Sequence, residues 1–184
     1  MARLASHNIA LSLSRLEYES AIRSHPLFPR LKRLSFDAME CVRDTQLFDS
    51  KTLRSEVTQI HGNVGSLIGT LFEFHLGRLL ARTKSPRFTP QQKKGDVDIL
   101  CPAFPILSFE VKTTSSKKNL FGNKVSSMEK KGSFLLGINY DAETLTVTAV
   151  RFGWVDAGSW IEQSGNGQRS SICPLALRRM VDCS

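Results

Sequence analysis

A chain of 184 residues, 41% of them hydrophobic, can bury one core without disulfides or a structural metal. Its aliphatic and aromatic residues recur from end to end, which excludes a disordered chain, and no apolar run approaches the ~20 residues of a membrane helix. The net charge of +8 favours polyanionic partners, and its distribution says more than its sum.

The chain opens with Arg3 and then mixes Ser6, His7 and Asn8 into its apolar residues. A secretory signal keeps an unbroken apolar stretch there, so an intracellular (cytoplasmic) protein is expected. Apolar positions at Ile9, Leu11, Leu13, Leu16, Ala21 and Ile22 fit a helix over residues 8–24, interrupted by Pro26 and Pro29. A second helix is predicted from Leu31 to Val42, with Leu31, Leu34, Ala38 and Val42 buried. Asp49 or Ser50 caps a third, running towards Ile60. Leu67 to Leu80 is the strongest helical segment, with Leu67, Leu71, Phe74, Leu76, Leu79 and Leu80 on a wide apolar face.

Pro86 and Pro90 end the helical region. Strands are predicted at Val97–Leu100 and Ile106–Thr113, then a polar stretch from Lys117 to Lys131 with a loop and a short helix. Phe134–Tyr140 and Leu145–Trp154 read as two further strands around a turn near Asp141-Ala142-Glu143. Ser159–Gln163 reads as a helical turn and Gly165-Asn166-Gly167 as a loop. Helices followed by a strand meander indicate an α+β or mixed α/β domain.

Cys41, Cys101, Cys173 and Cys183 form no Cys-x-x-Cys pair and have no His at ligand spacing, which argues for free thiols rather than zinc. Residues 1–60 carry nine Lys/Arg against seven Asp/Glu, and residues 141–184 carry four against five, so the positive excess lies between them. There, from Val57 to Met128, the only acids are Glu73, Asp96, Asp98 and Glu110, among Arg78, Arg82, Lys84, Arg87, Lys93, Lys94, Lys112, Lys117, Lys118 and Lys124. A basic stretch that keeps so few carboxylates suggests a phosphate-binding surface around a metal.

Those carboxylates sit in Gly95-Asp96-Val97-Asp98-Ile99-Leu100 and Phe109-Glu110-Val111-Lys112-Thr113-Thr114. Strand residues two apart share a face, so Glu110 and Lys112 lie on one side, Phe109 and Val111 on the other, core side. An antiparallel hairpin centred on Phe104 sets Asp98 opposite Glu110 and Asp96 opposite Lys112, with Cβ atoms ~5 Å apart. Two carboxylates so close repel unless a proton or a cation lies between them. Mg²⁺, which takes hard oxygen ligands, is the natural cation. An isolated Glu-x-Lys would read as an exposed strand of alternating charge. The paired Asp, the hairpin spacing, the basic context and the upstream helical Glu73 favour a site.

These residues resemble the PD-(D/E)xK nuclease superfamily, which includes many type II restriction endonucleases and Holliday-junction resolvases. The match runs from Gly69 to Tyr140: Asp98 followed by two apolar residues, then Glu110-Val111-Lys112, preceded by the helical Glu73. Val97 stands where the family has Pro. Asp96 competes with Asp98 for the metal, and Asp98 is preferred because an apolar pair follows it and it opposes Glu110.

The resemblance implies a single restriction-endonuclease-like domain over residues 1–184, with a mixed central sheet flanked by helices. Residues 1–66 form its helical N-terminal region, 67–155 its catalytic core and 156–184 a tail. It implies Mg²⁺-dependent hydrolysis of double-stranded DNA by a homodimer, with Mn²⁺ as a substitute ion. Asp98, Glu110 and the Val111 carbonyl are expected to hold the metal. Lys112 is expected to orient the attacking water or to stabilise the developing charge, and Glu73 to hold a second metal or position Lys112. Lys93, Lys94, Lys117 and Lys118 are candidate DNA contacts, as is Arg151. The favoured function is a type II restriction endonuclease; a structure-selective nuclease (a junction resolvase or mobile-element enzyme) and a non-enzymatic DNA-binding protein are the alternatives. His75, ~200° round the helix from Glu73, reads as structural or surface, and Trp154 and Trp160 as core aromatics.

Overall fold

The computed structural model describes residues 14–45, 64–83, 86–91, 97–116, 119–123, 132–162 and 169–183. The expected third helix, Ile9 to Leu13 and the Gly165–Gly167 loop lie outside them. Helix α1 (Arg15–Arg23) begins at a capping box: Ser14 Oγ accepts the Glu17 N–H, and the Glu17 carboxylate accepts the Ser14 N–H. Helix α2 (Phe28–Arg43) takes Pro29 into its first turn, where no N–H is needed, so this proline helps to start a helix rather than to interrupt one. Leu31, Leu34, Ala38 and Val42 are all buried, as their spacing requires. Helix α3 (Val64–Ala81) buries Ile68, Phe72, Leu76 and Leu80. Phe74, expected in the core, is instead 51% exposed and lies beneath the Arg78 guanidinium. A helix this apolar all round gives a weak directional signal, so its sequence does not single out the buried face.

The helices cover a six-stranded mixed sheet in the order β1-β2-β3-β5-β6-β9. Its strands are β1 (Thr89–Pro90), β2 (Ile99–Leu100), β3 (Phe109–Thr114), β5 (Ser133–Tyr140), β6 (Val147–Val155) and β9 (Val181–Asp182). β3 and β5 are parallel and the other neighbours antiparallel. β5 is central and buried on both faces, which explains its continuous apolar run. Phe109, Val111, Phe134, Leu136, Ile138, Val150 and Phe152 join the helices in the main core. The opposite face carries Leu135 and Val155, packed with Leu120, Ile172, Ala176 and Met180. Leu120 lies so close over Gly137 that a Cβ there would overlap it.

Three expectations change. Ile106 does not begin a strand: Pro105–Leu107 is a 3-10 turn, and the strand starts at Phe109. The polar stretch after Lys118 contains a strand, β4 (Phe121–Asn123), which pairs with β8 (Arg169–Ile172). Ser159–Gln163 is not a helical turn; Ala157–Ser159 is a 3-10 turn that leads into β7 (Trp160–Glu162). The segment read as a tail thus supplies β7, β8, the helix α4 (Pro174–Arg179) and β9.

One polar residue is built into the main core. His25, 2% exposed, lies among the rings of Phe88, Phe109, Phe134 and Phe152. Its Nε2 donates to the Leu107 carbonyl and its Nδ1 accepts the Leu27 N–H, so the ring is neutral with both nitrogens satisfied. Burial pushes its pKa down, against the weaker opposing pull of the Leu107 carbonyl. The unfolded imidazole protonates near ~6.5, the folded one only at lower pH. The stability this neutral ring contributes is present above pH ~6.5 and is lost as the pH falls below it, at up to about 1.4 kcal/mol per pH unit. Urea denaturation at about pH 7.5 and about pH 5 should show this loss, and a His25→Phe variant should show a shallower slope. Equal slopes would place the acid sensitivity elsewhere.

Candidate active site

The site begins where β2 leaves β3. Ile99 pairs with Phe109, the register that a hairpin centred on Phe104 requires. The long connection is tied by Ser108, whose Oγ accepts the Cys101 N–H at 2.9 Å. Beyond Ile99 the backbone turns towards β1, and the Asp98 carbonyl accepts the Gln91 N–H at 2.8 Å. Among the described residues, β3 therefore has no ladder partner on this side at Val111. The Asp98 carboxylate takes over: its Oδ2 accepts the Val111 N–H at 2.7 Å. An N–H and a C=O of one strand residue point the same way, so the Val111 carbonyl opens onto the same gap.

Lys112 fills that gap. Its Nζ lies 2.9 Å from the Val111 carbonyl, 3.2 Å from Glu110 Oε2 and 3.3 Å from Asp98 Oδ2. Side-chain exposure is 22% for Lys112, 14% for Asp98 and 7% for Glu110, so these charges meet largely out of water. Burial would lower the Lys112 pKa. The carboxylates of Asp98, Glu110 and Glu73 outweigh it and hold the ammonium above its ordinary value.

Glu73 comes from α3, which packs on the face of β3 that carries Thr113. It is half-buried, it interacts with other residues of the fold, and its charge acts on Lys112. Asp98, Glu110, Lys112 and Glu73 are thus brought together. Asp96, Lys93, Lys94, Lys117 and Lys118 lie outside the described residues. His75 is half-buried with its ring edge-on to Phe74, and its pKa is lowered by burial and then by Arg78. Arg151 donates to Asn139 Oδ1 at 2.6 Å, and Asn139 Nδ2 donates to the Ser116 carbonyl at 2.6 Å. This half-buried link, which no sequence motif signals, ties β6 to the turn after β3. Trp154 stacks edge-on to Phe134, and Trp160 packs in the smaller cluster.

Among the described residues no three His, Cys, Asp or Glu side chains cluster as a metal site. The oxygen set here is of another kind: two carboxylates and one backbone carbonyl converge within 3.3 Å of a single cationic nitrogen. Oxygen ligands of this sort fit a hard divalent cation, which needs only one or two carboxylates when substrate oxygens and water complete its shell. Asp98→Ala should destabilise the protein by about 1–3 kcal/mol in urea without divalent ions, because the Val111 N–H loses its acceptor. An unchanged stability would mean that solvent replaces the carboxylate without cost.

A family model described as ScaI restriction endonuclease matches residues 9–178. The type II restriction enzyme ScaI of Streptomyces caespitosus is similar to this chain: 29% identical over 79 residues, covering 35% of this chain and 35% of that enzyme. The matched stretch therefore spans about a third of that relative's length. With the family model covering most of the sequence, the chain belongs to the ScaI restriction endonuclease family.

Proposed function

We propose that the chain is a type II restriction endonuclease that hydrolyses phosphodiester bonds of double-stranded DNA with Mg²⁺, or Mn²⁺ in its place. One observation carries the reading: Asp98, Glu110 and the Val111 carbonyl converge on Lys112 at the open edge of β3. Family membership supports it, and so does the positive charge that the sequence concentrates around these residues.

Asp98, Glu110 and the Val111 carbonyl would hold the ion, with Asp96 as a further candidate. When bound, Mg²⁺ supplies positive charge to the scissile phosphate and lowers the pKa of the attacking water. Asp98 has a second task, since its hydrogen bond to the Val111 N–H fixes the carboxylate against the strand. Lys112, paired with the carboxylates of Asp98 and Glu110, would act as a cation and hydrogen-bond donor. Its ammonium orients the attacking water and offsets the charge that grows on the phosphate oxygens. Glu73 keeps that ammonium in place from the helix side. Two such centres in a homodimer would cut both strands of a two-fold symmetric site. Lys93, Lys94, Lys117 and Lys118 would contact phosphates.

The test is single-turnover cleavage of unmethylated phage DNA beside a binding titration in Ca²⁺. Discrete fragments are expected with Mg²⁺ or Mn²⁺ and none with EDTA. Lys112→Ala should lower the rate by ~10²-fold or more while Ca²⁺-dependent binding survives. Removing one phosphate contact would only flatten the salt dependence by about one unit. Cleavage by Lys112→Ala at the wild-type rate on saturating DNA would remove this residue from the chemistry.

A further inference from the structure

Helix α3 lies unusually close to the sheet at two points, and Glu73 is midway between them. A Cβ on Gly77 would come within 2.7 Å of Pro90 Cγ and 3.1 Å of Pro90 Cβ. A Cβ on Gly69 would come within 3.0 Å of Thr113 Oγ1. Residues four apart stack on one side of a helix, so Gly69, Glu73 and Gly77 share the side turned to the sheet. The two partners flank the active-site edge. Thr113 follows Lys112 on β3, and Pro90 pairs with Ile99, beside Asp98, while the next residue, Gln91, donates to the Asp98 carbonyl.

Glycine in a helix interior is less favourable than alanine, because its backbone loses more freedom on folding. Two such positions, one turn on either side of a half-buried carboxylate, trade helix stability for close approach. A glutamate side chain has a fixed reach, so a helix lifted by a few tenths of an ångström takes its carboxylate away from the gap. The Pro90 ring is rigid and cannot yield as the end of a flexible side chain would.

We infer that Gly77, with Gly69, is a positioning residue of the cleavage reaction, setting the height of α3 over the sheet so that the Glu73 carboxylate reaches the Asp98–Glu110–Lys112 gap. This inference rests on the role proposed for Glu73 above. Its scope is the chemical step: DNA affinity is set by other groups and does not depend on the helix height.

The experiment is a double-mutant cycle on single-turnover cleavage of unmethylated phage DNA with Mg²⁺, with DNA affinity in Ca²⁺ and thermal stability measured alongside. Gly77→Ala should slow cleavage ~10-fold or more, since small misplacements of catalytic groups are costly, with affinity unchanged. In a Glu73→Gln background the same substitution should change the rate by less than about two-fold, because the group it displaces is already disabled. Pro90→Ala, which removes the opposing Cγ, should restore most of the rate to Gly77→Ala. If Gly77→Ala does not fold, Gly69→Ala with Thr113→Ala as its relief variant decides by the same criteria. Wild-type cleavage by the glycine variant overturns the inference, as does an equal loss with and without Glu73. Glu73→Gln that cleaves at the wild-type rate overturns instead the role of Glu73 itself, so the two failures are distinguishable.

Discussion

At Val111 the sheet gives up a backbone neighbour, and the candidate site is what replaces it. Buried strand N–H and C=O groups must find partners. Because β2 pairs with β3 only at Ile99, the Val111 N–H takes the Asp98 carboxylate and its carbonyl faces the Lys112 ammonium. Charged side chains thus stand where a hydrogen-bond ladder would otherwise continue. A residue that completes the sheet is held more firmly than one on a loop, and catalytic groups need such rigidity.

The same gap explains how like charges coexist. Asp98 and Glu110 would repel across a site with little water, and the ammonium between them relieves that repulsion. The gap also opens to both sides of the sheet. Glu110 and Lys112 alternate with the core residues Phe109 and Val111, whereas Glu73 arrives from the helix side. Among the described residues no strand lies across this gap, which leaves it open to both layers. Behind the site, the His25 ring anchors the Leu107 carbonyl and with it the connection between β2 and β3.

Much of this was legible in the sequence because the strand period of two is strict. Phe109-Glu110-Val111-Lys112 assigns its faces without further information, and the spacing to Asp98 gave the observed register. The helix α2 face was equally plain, because its apolar positions recur among polar ones. What could not be read depended on distant partners. Pro105–Leu107 has the apolar content of a strand but forms a 3-10 turn, whose Leu107 carbonyl is held by His25, more than eighty residues earlier. The strands β4, β7 and β8 are only three or four residues long, and their mutual pairing defines them. Phe74 was misplaced because an almost wholly apolar helix does not announce which side meets the sheet. The closeness of Gly77 to Pro90 has no sequence signal beyond the glycine itself.

We propose that Asp98, Glu110 and the Val111 carbonyl form one oxygen cage for a divalent ion. Crystals grown with Mn²⁺ and diffraction recorded at its absorption edge would locate that ion. An anomalous peak is expected about 2.2 Å from a carboxylate oxygen of both Asp98 and Glu110, with the Val111 carbonyl facing it. A peak bound to other residues, or none at this edge of β3 under conditions that support DNA cleavage, would contradict it.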